Sequence, residues 1–170
     1  GRRVGFGRDP MRPHNLTLAM LGAGLLWFGW FGFNAGSALG ANQAAAVVFV
    51  TTLLAGASGV LGWLGVERLR DGHATSLGAA SGMVAGLVAI TPAAGLVGPM
   101  GGIVLGAVSG VVCLWGVSGL KKMLGYDDSL DVFGIHGIGG IIGAIGTGIF
   151  VAPALGGVGV DGYTMAGQVM

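Results

Sequence analysis

Charge is what this sequence has least of. Asp, Glu, Lys and Arg make up 9% of its 170 residues, against about 25% in an ordinary soluble domain. So few charges cannot cover a water-facing surface, and lipid must cover most of the chain. Cysteine is almost missing as well. Cys113 stands alone in an apolar run, which excludes a disulfide framework or a cysteine metal site and reads as a small buried hydrophobe. With 5 prolines and no Gly-x-y period, collagen is excluded. There is no phosphate loop, no nucleophile beside its base and no cluster of metal ligands, so an enzyme, a cofactor and a bound metal are not expected. No signal peptide is visible at the N-terminus. The chain starts without Met in a basic stretch and stops at Met170 as a new segment begins, so a fragment of a longer protein is expected.

Glycine and aliphatic residues take the place of charge. There are 38 glycines, far above the usual share of roughly 7%, and the residues between them are Leu, Val, Ile, Ala and Phe, which excludes a flexible linker. Glycine at this density in apolar runs suits closely packed membrane helices. A bilayer core about 30 Å thick needs roughly 20 apolar residues of helix. Five segments are expected to cross it: 16–39, 43–66, 76–92, 101–123 and 131–152. The third is the shortest, its apolar run ending at Ile90 before Thr91 and Pro92, because proline disfavours helix in the residue before it. Asp131 stands where an N-cap acceptor would open the fifth segment, and Pro153 where a helix would halt. The fold class is all-α, a polytopic membrane helix bundle.

The basic residues orient it. With alternating sides, one side receives Arg2, Arg3, Arg8 and Arg12, then Arg68 and Arg70, then Lys121 and Lys122, which is every Lys and Arg in the chain. The opposite loops hold none. The basic side, including the N-terminal end, is expected to be cytoplasmic, and topology rather than nucleic-acid binding explains that basic face. Small residues four apart (Gly36 and Gly40, Gly82 and Gly86, Gly102, Gly106 and Gly110, Gly139 and Gly143) imply backbones in close approach.

Polar groups at membrane depth are costly and therefore informative. His136 lies just inside the fifth segment, in DVFGIHGIGG. Its imidazole either lines a cavity, where a neutral ring offering one donor and one acceptor suits proton relay or a neutral polar guest, or packs against a carbonyl. The first segment ends in LLWFGWFGFNAGSAL, an aromatic cluster of Trp27, Phe28, Trp30, Phe31 and Phe33 followed by Asn34 and Ser37. One reading is an interfacial aromatic belt. The other is a cation vestibule, in which aromatic faces attract a poorly hydrated cation and the Ser37 hydroxyl accepts a hydrogen bond from ammonium. Four residues separate Phe33 from Ser37, which puts both on one helix face. Thr91 reads as a helix terminator or a site residue, Asp131 as a cap or an ion site, and Asp127 and Asp128 as solvated charge near Lys121 and Lys122. His14 and His73 receive no role.

Taken together, WFGFNAGSA, GLVAITPAAG, LWGVSGLKK and DVFGIHGIGG resemble, in that order, the sixth, eighth, ninth and tenth helices of the Amt/Mep/Rh ammonium transporters, with the bacterial Amt form in FNAGS. The resemblance implies an eleven-helix protomer of two inverted five-helix halves, assembled as a homotrimer in the cell (inner) membrane with one pore per subunit. This chain would be the second half without the final helix. By motif, Phe33 resembles a phenylalanine at the pore mouth, Ser37 the hydroxyl that helps bind ammonium, His136 the inner member of a twin-histidine pair, and Val132 an apolar pore residue. Trp30 would pack along the pore wall, with Asp131 a structural carboxylate. The partner histidine and the vestibule tryptophan would come from the other half, so the fragment alone is not expected to conduct. The implied function is ammonium uptake. Ammonium is recruited and deprotonated, ammonia crosses, and a proton is passed by histidine. A PII-type regulatory protein would dock on the cytoplasmic face. The alternatives are an Rh-type ammonia or CO2 channel, an ammonium sensor on the same membrane fold, and a structural scaffold.

Overall fold

The structure, a computed structural model, describes residues 3–9, 11–164 and 167; Arg2, one of the basic residues counted above, lies outside them. Every long helix but α4 starts where an acceptor side chain meets a free N–H. Asn15 accepts from the Leu18 N–H at 3.0 Å and opens α1, Leu16–Gly36. Asn42 accepts from Ala45 at 2.9 Å and opens α2, Gln43–Asp71, which ends on Gly72 in the left-handed region that glycine adopts without strain. Thr75 opens α3, Ser76–Ile90, and Pro99 sits in the first turn of α4, Pro99–Leu124. The last long helix, α5, is Phe133–Phe150, followed by a single turn of 3-10 helix at Pro153–Leu155. No strand occurs among the described residues.

Two capping arrangements differ from, or go beyond, what the sequence suggests. Asp131 does not cap α5. Its backbone is left-handed, with φ 56°, and its carboxylate instead takes the Lys121 ammonium at 2.8 Å. Asp128 is the cap, accepting the Val132 and Phe133 N–H groups at 2.9 and 2.8 Å. Capping depends on where the backbone aims a carboxylate, and three residues earlier the aim is better. Asp127 is not solvated charge either, since it holds the Arg3 side chain and the Arg3 backbone N–H. The second arrangement is Glu67, buried near the end of α2. Its carboxylate accepts both the N–H and the hydroxyl of Thr75 at 2.9 Å, so a charge on one helix secures the start of the next.

Among helices in lipid, association rests on close packing rather than on expulsion of water. Helix α2 is the centre, packed by both α3 and α4, which also touch each other. A Cβ on Gly86 of α3 or on Gly106 of α4 would run into the same Ala55 carbonyl, and one on Gly82 or Gly110 into Gly59. Gly36, by contrast, faces open space, and the Gly36–Gly40 spacing makes no close approach. Two buried threonine hydroxyls are satisfied within their own helices: Thr51 donates to the Val48 carbonyl and Thr147 to that of Gly143, as a dry interior requires.

Among the described residues, four helices (α1, α2, α4 and α5) are long and apolar enough to cross a bilayer. Helix α3 has 15 residues, about 22 Å at 1.5 Å per residue. The turns after it stay inside the bundle, with Ala93, Ala94 and Val97 all buried. Both α4 and α5 contain a π-helical turn, Gly116–Leu120 and Phe133–Gly137. The two turns lie against each other, for a Cβ on Gly134 would strike Val117 and one on Gly116 the Ile138 side chain.

Candidate functional site

The first cluster is built where the end of α1 meets the start of α2 and the end of α3. Trp30 donates its indole N–H to the Thr91 hydroxyl at 2.9 Å, and Thr91 in turn donates to the Leu87 carbonyl at 2.8 Å. Thr91 therefore both ends α3 and receives α1. One turn on, the Asn34 amide donates to the Thr52 hydroxyl at 3.2 Å, leaving Asn34 the one buried residue of α1. The rings of Trp30 and Phe33 meet edge to face with centroids 6.1 Å apart, a favoured aromatic geometry. Phe33, Asn34, Ser37 and Thr91 line one pocket of about 230 Å3, with Val48 and Ala94 among its other walls and no charged residue in the lining. The Ser37 hydroxyl donates to the Phe33 carbonyl at 2.8 Å. Its proton is thereby committed, and toward the pocket the oxygen can only accept.

The second cluster surrounds His136, in the π-helical turn of α5. Such turns insert an extra residue into the helix and are frequent at functional sites. His136 and Val132 are exposed and line an open groove of about 640 Å3 with Tyr126, Asp127, Asp128 and Phe133. Asp131 lines a neighbouring groove with Arg3 and Lys121 instead. The Tyr126 ring meets Phe133 edge to face at 5.6 Å, and its hydroxyl oxygen is buried without a partner. Burial pushes this phenol above the usual tyrosine value, and the Asp128 carboxylate adds to the rise.

The two clusters share no lining residue, and α3 joins them. Thr91 belongs to the first. Ala85, six residues earlier and so about 9 Å along the axis, packs with Cys113 and with Ile135, the neighbour of His136. Sequence reasoning missed Thr52, Glu67 and Ser109. The available signal was a polar residue inside an apolar span for Thr52 and Ser109 and a lone carboxylate just past one for Glu67, but nothing in the sequence names its partner.

An apolar helical bundle with an uncharged aromatic and hydroxyl pocket, and a histidine in a separate groove, fits several kinds of membrane protein. Comparison with known families decides among them, because the family model described as Ammonium Transporter Family matches residues 1–169. The chain belongs to the ammonium transporter family. That family is one of transporters rather than enzymes, and with its apolar helices the chain is part of a multi-pass membrane protein. It is 56% identical over 153 residues to an ammonium transporter of Mycobacterium bovis, an alignment covering 90% of this chain and 32% of that protein. Among solved structures it is similar to Mep2 of Candida albicans, at a TM-score of 0.85 and 34% identity, covering 99% of this chain and 39% of that one. It is also similar to a structure titled Sensor Amt Protein, at a TM-score of 0.86 and 28% identity, covering 99% and 41%. The chain thus spans about one-third of the length of the bacterial relative.

Proposed function

We propose that the chain contributes half of the pore of an ammonium transporter, its five segments 16–39, 43–66, 76–92, 101–123 and 131–152 crossing the cell (inner) membrane with the α1 start on the cytoplasmic side. The observation that carries this is the uncharged pocket formed by Phe33, Asn34, Ser37 and Thr91. Carrying NH4+ intact through an apolar passage would cost many kcal/mol in desolvation, and aromatic faces with one hydroxyl acceptor offset only part of that. They suffice to collect the ion. A metal cation can only be coordinated by the Ser37 oxygen, whereas ammonium has four N–H groups to donate to acceptors.

Beyond the pocket the ion surrenders a proton, neutral ammonia crosses past Trp30 and Val132, and His136, paired with a histidine from the other half, passes the proton along. Selectivity against potassium is then chemical, because potassium has no proton to lose. The family resemblance supports a homotrimer and a PII-type regulatory protein on the cytoplasmic face as parts of the same reading. The test uses the full-length protein in proteoliposomes. Ammonium-driven current should fall in Ser37→Ala through a raised half-saturation concentration, and in His136→Ala through a lost or altered current. Wild-type current and selectivity in His136→Ala would end the proposal. The likeness to the Sensor Amt Protein favours a second reading, an ammonium sensor, in which binding at the same pocket drives a signal and the full-length protein carries no current.

A further inference from the structure

Two side chains link α3 and α4 to the turn that bears His136. Ser109 of α4, wholly buried, donates its hydroxyl to the Ala85 carbonyl of α3 at 2.8 Å and lies 3.5 Å from the Cys113 sulfur. Cys113, also wholly buried, donates in turn to the Ile135 carbonyl of α5 at 3.6 Å, a length that suits the larger radius of sulfur. Next to this contact, a Cβ on Gly139 would lie 3.3 Å from the Ser109 hydroxyl and 3.5 Å from the sulfur, so the pair fits closely against the α5 backbone. Where the π-helical turn ends, the Ile138 N–H is shared between the Phe133 and Ile135 carbonyls. The regular ladder is stretched there, and the Ile135 carbonyl takes its further donor from outside the helix.

A π-helical turn holds one residue more than an α-turn, and one residue of helix is about 100° of rotation. Tightening Phe133–Gly137 into α-helix would therefore swing His136 around the axis relative to the face of α5 that packs on α3 and α4. We propose that Cys113, together with Ser109, is a positioning residue for His136, acting through the Ile135 carbonyl to hold the stretched turn and so to aim the imidazole. The chain of contacts runs from the Ala85 carbonyl through Ser109 and Cys113 to Ile135, one residue before the histidine. The inference rests on the proposed transport role of His136.

The full-length protein in proteoliposomes, checked for assembly by size-exclusion chromatography, tests it. Cys113→Ala should lower ammonium-driven current by at least about tenfold, toward the ~100-fold cost of a group misplaced by about 1 Å, and change its pH profile. The half-saturation concentration should stay within about twofold, because the pocket at Ser37 is untouched. Cys113→Ser, which keeps a donor, should restore most of the current and the wild-type pH profile. Wild-type current and pH profile in Cys113→Ala overturn the inference. If Cys113→Ala does not assemble, an assembled Cys113→Ser with a tenfold loss or a changed pH profile overturns it, and one with wild-type behaviour supports it. His136→Ala in the same liposomes keeps the two claims apart. If it behaves as wild type, the transport role of His136 falls; if it alters the current while Cys113→Ala does not, only the positioning role falls.

Discussion

Trp30 and Thr91 join α1 to the end of α3 by one part-buried hydrogen bond of 2.9 Å, in which the Thr91 hydroxyl accepts the indole N–H. Removing the acceptor leaves that donor unmatched, which costs about 1 kcal/mol in membrane proteins, where measured side-chain bonds average below the 1–3 kcal/mol of soluble ones. Thr91→Val should lower the thermal unfolding midpoint of the full-length protein, while Thr91→Ser should hold it. Equal midpoints in the two variants would show that the bond contributes nothing.

Asp128 and Asp131 should separate in the same assay. Asp128→Ala strips two N–H groups of their acceptor at the start of α5 and removes a negative charge from the helix N-terminus, a loss of about 1–2 kcal/mol. Asp131→Asn loses only the partly exposed pair with Lys121, about 0–1 kcal/mol. The larger drop in midpoint belongs to Asp128.

Gly86 and Gly36 make a third contrast. At Gly86 an alanine methyl meets the Ala55 carbonyl and forces α2 and α3 apart, costing about 1–3 kcal/mol. At Gly36 the methyl meets nothing, and alanine is the better helix former by about 1 kcal/mol. Gly86→Ala should therefore destabilise the folded protein, while Gly36→Ala should leave it unchanged or firmer.

Tyr126 bears a buried hydroxyl without a partner, so Tyr126→Phe should be neutral or stabilising. Its pKa is raised in the folded state. The neutral phenol is thus favoured by folding, and the stability it contributes is complete below the ordinary tyrosine value of about 10. That stability is lost as pH rises through the higher folded value. The Phe variant should lose less stability than the wild type above that pH, as followed by unfolding midpoints from pH 8 to 11.

The fold class and the family were legible because they depend on composition, on spans and on local motifs such as WFGFNAGSA. Trp30, Asn34 and Thr91 stood out for a simple reason, that polar or amphipathic groups deep in an apolar run need a partner. The partners themselves were not legible. Thr52 and Ser109 answer to helices 18 and 24 residues away, and no local pattern encodes such distances. Asp131 misled because its type and position suit a cap, whereas its left-handed backbone sends the carboxylate to Lys121. The π-helical turns left no mark in the sequence, since one extra residue among so many glycines disturbs no period.

Helix α1 buries only Asn34, yet it carries every aromatic ring of the first cluster. Its ties are Trp27 lying across Gly56, Trp30 on Thr91, Phe31 stacked on Phe49 and Asn34 on Thr52, all within its last three turns. Among the described residues, these hydrogen bonds and ring contacts of α1 to other helices lie at that end. Leu18, Leu21 and Leu25 extend from the mooring as a bare apolar spar, and whatever lies against them can be exchanged without moving the rings that shape the pocket.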